Sequence, residues 1–292
     1  MDIRSLRYFL AVAREESMTE AANVLHVTQP TLSRQIAELE DELGKKLFER
    51  TNRNTTLTEE GMRLRQRAEE IVALTDQTEE EMKSDMHALT GCIRIGAGET
   101  HAMHFVTDAF LKLRQNHPGV TIELFTGNAD AVRERLEHGL LDFGLLLEPV
   151  TLEHYDYIHL PEKDTVGIVT RRNGPWGKLE YVTPDDLKEM PVLISSRTQT
   201  KMVDLSKWST GKITTKKLHV VGRFDLIGNA ALLIKSGDVN AFSISGLLQE
   251  TDPDLKFLPL KQSLKISSVL VWKKYRMLSP TSEALLDVLR SD

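Results

Sequence analysis

The stretch from Ser17 to Glu40 constrains the chain more than any other. Its spacing predicts two helices joined by a tight turn. Ala21, Ala22 and Leu25 give the first a small apolar face, which lets a second helix cross closely. Thr28 has the hydroxyl of a good N-cap, and Pro30 falls in the first turn, where a missing N–H is no loss. Leu32, Ile36, Leu39 and Leu43 then recur at i, i+4, i+7 and i+11, one helical stripe. Gln29, Ser33 and Arg34 point away from that stripe, and Gly44 stands where a left-handed residue would end the helix. A short helix, a turn and a helix with Gln, Ser and Arg on its exposed N-terminal side suit a reader of the DNA major groove. An ordinary helical hairpin with a solvated polar face fits the same residues.

The segment that follows favours the first reading. Leu43 to Thr58 holds Lys45, Lys46, Arg50 and Arg53 against Glu49, a net charge of +3 in a chain of net −6. A basic patch on an acidic chain is an electrostatic footprint for phosphates. Leu47, Phe48 and Leu57 can anchor the patch, and Asn52 to Thr56 suits the tip of a small β-wing. The pattern S-x-T-x-A-A-x-x-L-x-V-T-Q-P-T-L-S-R-Q-I-x-x-L-E-x-x-L-G-x-x-L-F-x-R resembles the winged helix-turn-helix of the LysR-type transcriptional regulators. It is matched almost position for position from Leu6 to Arg53. The resemblance implies double-stranded promoter DNA as a partner, contacted by Thr28, Gln29, Pro30, Thr31, Ser33, Arg34, Lys45, Arg50 and Arg53.

At 292 residues the chain is long for one core, and two or three domains are expected. Hydrophobic residues at 40% and charged residues at 27% indicate a soluble globular protein. The single cysteine, Cys92, excludes an intrachain disulfide and suits a reducing, cytoplasmic setting. It reads as a small buried apolar residue at a strand start rather than a reactive thiol. No apolar run approaches the length of a membrane span. Arg4, Arg7 and the run Tyr8 to Ala13 imitate a signal peptide, but the run is short and Asp2 spoils the basic end. The segment reads instead as a helix from Ser5 to Glu15, with Leu6, Phe9, Leu10 and Ala13 on its buried face.

From Thr58 to about Leu89 the sequence is polar, helix-forming and free of proline. Leu64, Ala68, Ile71, Thr75, Thr78, Met82 and Leu89 follow a 4,3 spacing, a seam weakened by two threonines and by Asp85. A helix with so thin an apolar stripe needs a partner. The resemblance implies a linker helix that pairs subunits into a homodimer or homotetramer.

At Gly91 the period changes. Strands are expected at Cys92–Ile95, Val120–Phe125, Phe143–Leu147, Val166–Thr170, Val192–Ser195, Leu218–Val221, Val239–Phe242, Lys256–Leu260 and Ser268–Trp272. Helices are expected at His101–Asn116, from Asn128 to His138, and at Ser279–Leu289. This alternation predicts an α/β domain with a mainly parallel sheet. The short patterns at Gly91–Gly96, Pro118–Ile122 and Gly139–Leu145 stand where LysR-type regulators have their effector domain. The fold class is therefore multidomain. The resemblance implies an N-terminal all-α winged helix-turn-helix (1–58) and a long linker helix (59–89), followed by a periplasmic-binding-protein-like α/β effector domain (90–292). The resemblance divides that domain into subdomain I, about 91–164 plus 267–292, and subdomain II, about 165–266, joined by two crossing strands.

In open α/β sheets, ligands sit at the carboxyl ends of strands near helix N-termini. Thr100, Asn128, Ser195, Ser196, Arg197, Phe224 and Asp225 hold such places, and similar positions line the cleft in the family. Free amides at helix starts, with Arg197 as a carboxylate partner, suggest a small organic anion as effector. Each residue taken singly is equally a cap or turn residue.

Other constellations carry less. Gly96-x-Gly98-x-x-His101 opens like a dinucleotide fingerprint, but the third glycine is missing. His101 and His104 lie at i, i+3, but no Cys or carboxylate completes a metal site by local spacing. Glu79 to Glu81 read as a solvated helix face. No Gly-x-Ser-x-Gly, P-loop or His-Glu-x-x-His appears, and neither a catalytic residue nor a cofactor is expected. Three functions fit: a ligand-responsive transcription regulator, a solute-binding sensor without gene-regulatory output, and a small-molecule enzyme on an α/β fold. The helix-turn-helix with its basic wing separates the first from the other two.

Overall fold

The computed structural model describes residues 1–50, 55–83, 89–196, 204–214, 217–248 and 252–291. The chain forms two compact units, Met1–Lys83 and Ser84–Asp292.

The first unit is built by well-capped helices. In α1 (Ile3–Glu15) the Asp2 carboxylate accepts from the Ser5 amide at 2.7 Å. In α2 (Met18–Val24) the Ser17 hydroxyl caps through the Glu20 amide. In α3 (Gln29–Leu43) Thr28 caps, Pro30 sits in the first turn, and Gly44 ends the helix at φ 64°. Leu6, Phe9, Val12, Ala21, Ala22, Leu32, Ile36 and Leu39 bury together. Leu43, expected in the same stripe, is exposed: it is the last helical residue, one turn beyond Leu39. The wing strands β1 (Phe48–Arg50) and β2 (Thr55–Leu57) pair antiparallel, with Phe48 opposite Leu57.

The 25-residue helix α4 (Glu59–Lys83) follows. Its first turn presses on the wing: a Cβ on Gly61 would stand 2.2 Å from the Leu47 carbonyl oxygen, which only glycine allows. The expected heptad seam divides in the structure. Ala68 is buried in the unit's own core, and Leu64 packs against it. Ile71, Leu74 and Met82 remain exposed, while Leu89 packs against the core of the second unit. Leu89 thus packs against the α/β unit rather than along a helical seam. Asp85 lies outside the described residues.

The second unit is a nine-stranded sheet flanked by helices. Its elements are β3 (Gly91–Ala97), α5 (Met103–Asn116), β4 (Val120–Thr126), α6 (Ala129–Glu137), β5 (Phe143–Leu147), β6 (Tyr155–Arg171), α7 (Pro184–Glu189) and β7 (Pro191–Ser195). After these come α8 (Leu205–Trp208), β8 (His219–Phe224), α9 (Ile227–Ser236), β9 (Asn240–Ile244), β10 (Leu255–Pro259), β11 (Lys265–Lys273) and α10 (Pro280–Ser291). The order is β4-β3-β5-β11-β6-β9-β7-β8, with β10 also on β6.

The expectation of a mainly parallel sheet is corrected. Strand β3 pairs parallel with β4 and β5, and β7 with β8 and β9. Between these groups β11 runs antiparallel to β5 and β6, and β6 antiparallel to β9 and β10. The cause is β6, which extends eleven residues N-terminal to the strand expected from Val166. Tyr155 to Thr165 follow β11, then Val166 to Val169 pair with β9. Two lobes result, sharing β6. Ile93, Ile95, Phe143 and Leu270 pack with Val106, Phe110 and Leu285 in one. Val166, Ile168, Val192 and Ile194 pack with Leu187 and Trp208 in the other. Cys92, expected to be buried, is half-buried at the second residue of β3.

Candidate nucleic-acid interface and ligand cleft

The turn between α2 and α3 is short because His26 takes a left-handed φ of 55°. The Val27 amide then donates to the Ala22 carbonyl at 3.0 Å. The turn delivers Thr28 as cap, its hydroxyl accepting from the Thr31 amide and lying 2.8 Å from the Thr31 hydroxyl. Thr28, Gln29, Pro30, Thr31 and Arg34 are exposed at the start of α3, and Ser33 is half-buried. Arg34 pairs with Glu38 at 3.2 Å, both solvent-exposed, a contact that a phosphate can displace at small cost.

Lys45 is exposed beside the wing. Arg53 and the wing tip lie outside the described residues, as does the side chain of Arg50. The wing's base depends on Glu40, which sequence reading did not single out. One Glu40 oxygen accepts from the amides of Leu47 (2.8 Å) and Phe48 (3.2 Å), and the other from Lys46 Nζ (2.7 Å). Burial alone would raise the Glu40 carboxyl, but these bonds outweigh it and hold the group below the ordinary range. A buried carboxylate at the end of α3 therefore sets where β1 begins.

In the second unit a cleft of about 150 Å³ opens between the lobes. Leu147, Val166, Ile194, Leu205, Phe224, Leu226, Phe242 and Ile266 make most of its wall apolar. Four expected residues line it: Asn128, Ser195, Phe224 and Asp225. Ser196 is exposed just beyond the end of β7, outside the lining, and Arg197 lies outside the described residues. Asn128 caps α6, its oxygen accepting from the Asp130 and Ala131 amides, while its nitrogen reaches Asp225 at 3.5 Å.

Thr100 is buried but stands behind the cleft. Its hydroxyl donates to Asp164 at 2.9 Å and accepts from the Ala102 amide at 3.2 Å. Burial pushes the Asp164 carboxyl above its ordinary range, against the pull of the Thr100 bond.

The residue next to Thr100 reaches the cleft instead. Glu99 lines it and accepts from the Ile227 amide, at the first turn of α9, at 2.5 Å. No side chain of α9's own N-cap, Leu226, makes that bond. Glu99 and Asp225 are the charged residues among the described lining.

Residues 3–62 match the family described as bacterial regulatory helix-turn-helix protein, lysR family, and residues 87–292 match the LysR substrate binding domain. The chain belongs to the LysR family. Among curated relatives of this LysR-family protein is the uncharacterized HTH-type transcriptional regulator YvbU of Bacillus subtilis, 30% identical over 195 residues, 66% of each chain. Another is the HTH-type transcriptional activator IlvY of Salmonella typhimurium, 36% identical over 152 residues, 52% of each. The chain thus spans about half to two-thirds of the length of these relatives. The solved structure of CbnR, a LysR family transcriptional regulator, superposes with a TM-score of 0.79. It is 19% identical and covers 100% of this chain and 99% of CbnR, so the fold is shared over the whole length. CbnR has also been solved with its target DNA, and that structure superposes at 0.78 with the same identity and coverage.

Within the LysR-family frame, Glu99 and Glu40 are the residues that sequence reading passed over. Glu40 stood in the matched pattern, after Leu39, without a role of its own. Glu99 had no local signal, because its partner lies 128 residues away.

Proposed function

We propose that this protein is a cytoplasmic transcription regulator that binds promoter DNA through α3 and the wing and responds to a small molecule held in the cleft. The single observation that carries the reading is the start of α3. A helix capped by Thr28 exposes Thr28, Gln29, Pro30, Thr31 and Arg34 together, while its apolar stripe of Leu32, Ile36 and Leu39 is buried. Polar side chains at a helix start can enter a major groove with the backbone beside them held by phosphate contacts. The functional division is 1–58 for DNA, 59–89 for subunit pairing and 90–292 for the effector. Lys45, Arg50 and Arg53 supply backbone contacts, and Ser33 joins the base-reading surface. No enzymatic step enters this reading.

The protein acts as a homodimer or homotetramer, because α4 leaves Ile71, Leu74 and Met82 exposed. The effector has an apolar body that fits the aliphatic and aromatic wall. The organic anion suggested by the sequence has one defined seat, the Ile227 amide at the first turn of α9, which Glu99 now fills. Such a ligand takes the place of the Glu99 carboxylate, and Ser195 and Asn128 lie on the same wall.

The test is a gel shift against the region upstream of the protein's own gene, across a salt series. Sequence-specific binding that weakens steeply with salt is expected. Equal affinity for random DNA, or none, would return the chain to a solute-binding sensor. No helix among the described residues is long and apolar enough to cross a membrane.

A further inference from the structure

We propose that His101, His104 and Glu162 form a binding site for a divalent transition-metal ion of the zinc class. One ligand atom from each lies within 4.8 Å of the others, the one such cluster among the described residues. None of the three lines the cleft, so this site is separate from the effector's. The proposal stands whether or not an anion binds there.

The chain supplies two of the ligands by local spacing and the third by topology. His101 and His104 flank the first turn leading into α5, with their rings 4.8 Å apart. Glu162 comes from β6, the strand that both lobes share. No pattern in the sequence connects residues 58 positions apart, which is why the histidine pair looked incomplete.

Two features prepare the histidines. The His104 Nδ1 lies 2.8 Å from the His101 carbonyl oxygen. A carbonyl only accepts, so Nδ1 carries the proton and donates. That leaves the Nε2 lone pair free, and an N–H anchored on a backbone carbonyl is the usual outer support of a metal-bound imidazole. The Phe105 ring backs His104 at 4.0 Å between centroids. His101 is held differently. Gly246, at φ +85°, lets the loop after β9 approach so closely that a Cβ there would stand 3.0 Å from the His101 Cβ.

Two imidazoles and one carboxylate are a donor set that zinc accepts, with water in the fourth place. Tetrahedral zinc with bonds of about 2.1 Å holds its ligands roughly 3.4 Å apart, so the cluster must contract by somewhat over 1 Å. His101 and Glu162 are exposed and His104 half-buried, so rotation of exposed side chains supplies that contraction. The exposed Glu162 carboxylate brings a negative charge to the two imidazoles, which suits a cation. A bound ion would tie the start of α5 to β6, beside the Gly246 loop of the other lobe, and so brace the junction on which the cleft depends.

The test is isothermal titration of the chelator-treated full chain with Zn²⁺, paired with absorption spectra of the Co²⁺ form. One ion per chain and the intense bands of tetrahedral cobalt are expected. Glu162→Gln, at an exposed position, should weaken binding about 10-fold, and the double variant His101→Ala, His104→Ala at least about 100-fold. The chain has nine histidines, so the double variant separates this cluster from the rest. Should that variant misfold by circular dichroism, Glu162→Gln carries the test alone. No saturable binding by the wild type, or unchanged affinity in the folded variants, would overturn the proposal.

Discussion

Glu99 and Ile227 meet across the cleft: a carboxylate from the loop after β3 caps the first turn of α9 in the other lobe at 2.5 Å. The bond does two things at once. It satisfies an amide that α9's own N-cap leaves open, and it fills the position most favourable to an anion. Glu99→Ala should therefore raise the affinity for small aliphatic carboxylates, by about 2- to 30-fold on the range of charge–helix energies. Calorimetric titration of both proteins with a panel of mono- and dicarboxylates checks this. Tighter binding of the matching neutral amides instead would move the charged end of the ligand away from Ile227.

How much of this was legible in the sequence depends on how far apart the partners lie. The helix-turn-helix could be read because its caps and stripes act within a few residues: Thr28, Pro30 and Gly44 each stand at the helix end that their chemistry favours. The sheet's direction could not. Alternating strands and helices imply parallel pairing, but β6 and β11 return without a helical crossover, and nothing local marks that. The cleft residues divide the same way. Asn128 was found as a cap and does line the cleft, whereas Thr100 was found as a helix-start hydroxyl and turned out to face Asp164.

That contact changes what a Thr100 substitution should do. Thr100→Val keeps the shape and removes a donor to a buried carboxylate. The expected result is a stability loss of about 1–3 kcal/mol, read from denaturant or thermal unfolding, with little change in effector affinity. A hydroxyl that contacts the effector would give the opposite result: weaker binding with stability unchanged.

Glu40 gives the first unit a pH dependence. Its carboxyl lies below the ordinary range because the Lys46, Leu47 and Phe48 bonds outweigh burial. A depressed pKa contributes stability above the unfolded value, about 4.3, and that contribution is lost as pH falls through the folded value. Glu40→Gln should cost about 1–3 kcal/mol near pH 7, with the difference from wild type narrowing below about pH 4. Unfolding of the two proteins across a pH series measures it. A difference that stays constant with pH would show that shape, not charge, sets the wing.

Assembly should depend on the apolar part of α4 that its own unit does not cover. Ile71 is partly exposed, one turn from buried Ala68, with Leu74 beside it. Ile71→Glu should yield monomers by sedimentation and lose specific DNA binding, while the circular dichroism of the chain stays the same. A variant that sediments at the native mass would place the subunit contact elsewhere.

Base reading should rest on Gln29. It is the first residue of α3, presented by the Thr28 cap and the left-handed His26 turn, and it is exposed. A glutamine amide can bond adenine with both its donor and its acceptor, and such a pair contributes about 1–3 kcal/mol of discrimination. Gln29→Ala should lose that much on the specific site and little on random DNA, because the variant keeps every basic side chain of the unit. The salt slope should also stay the same, since no charge is removed. Titrations on both DNAs at two salt concentrations separate the outcomes: equal losses on both would make Gln29 a positioning contact, and the sequence would then be read by Ser33 or Arg34 further along the helix.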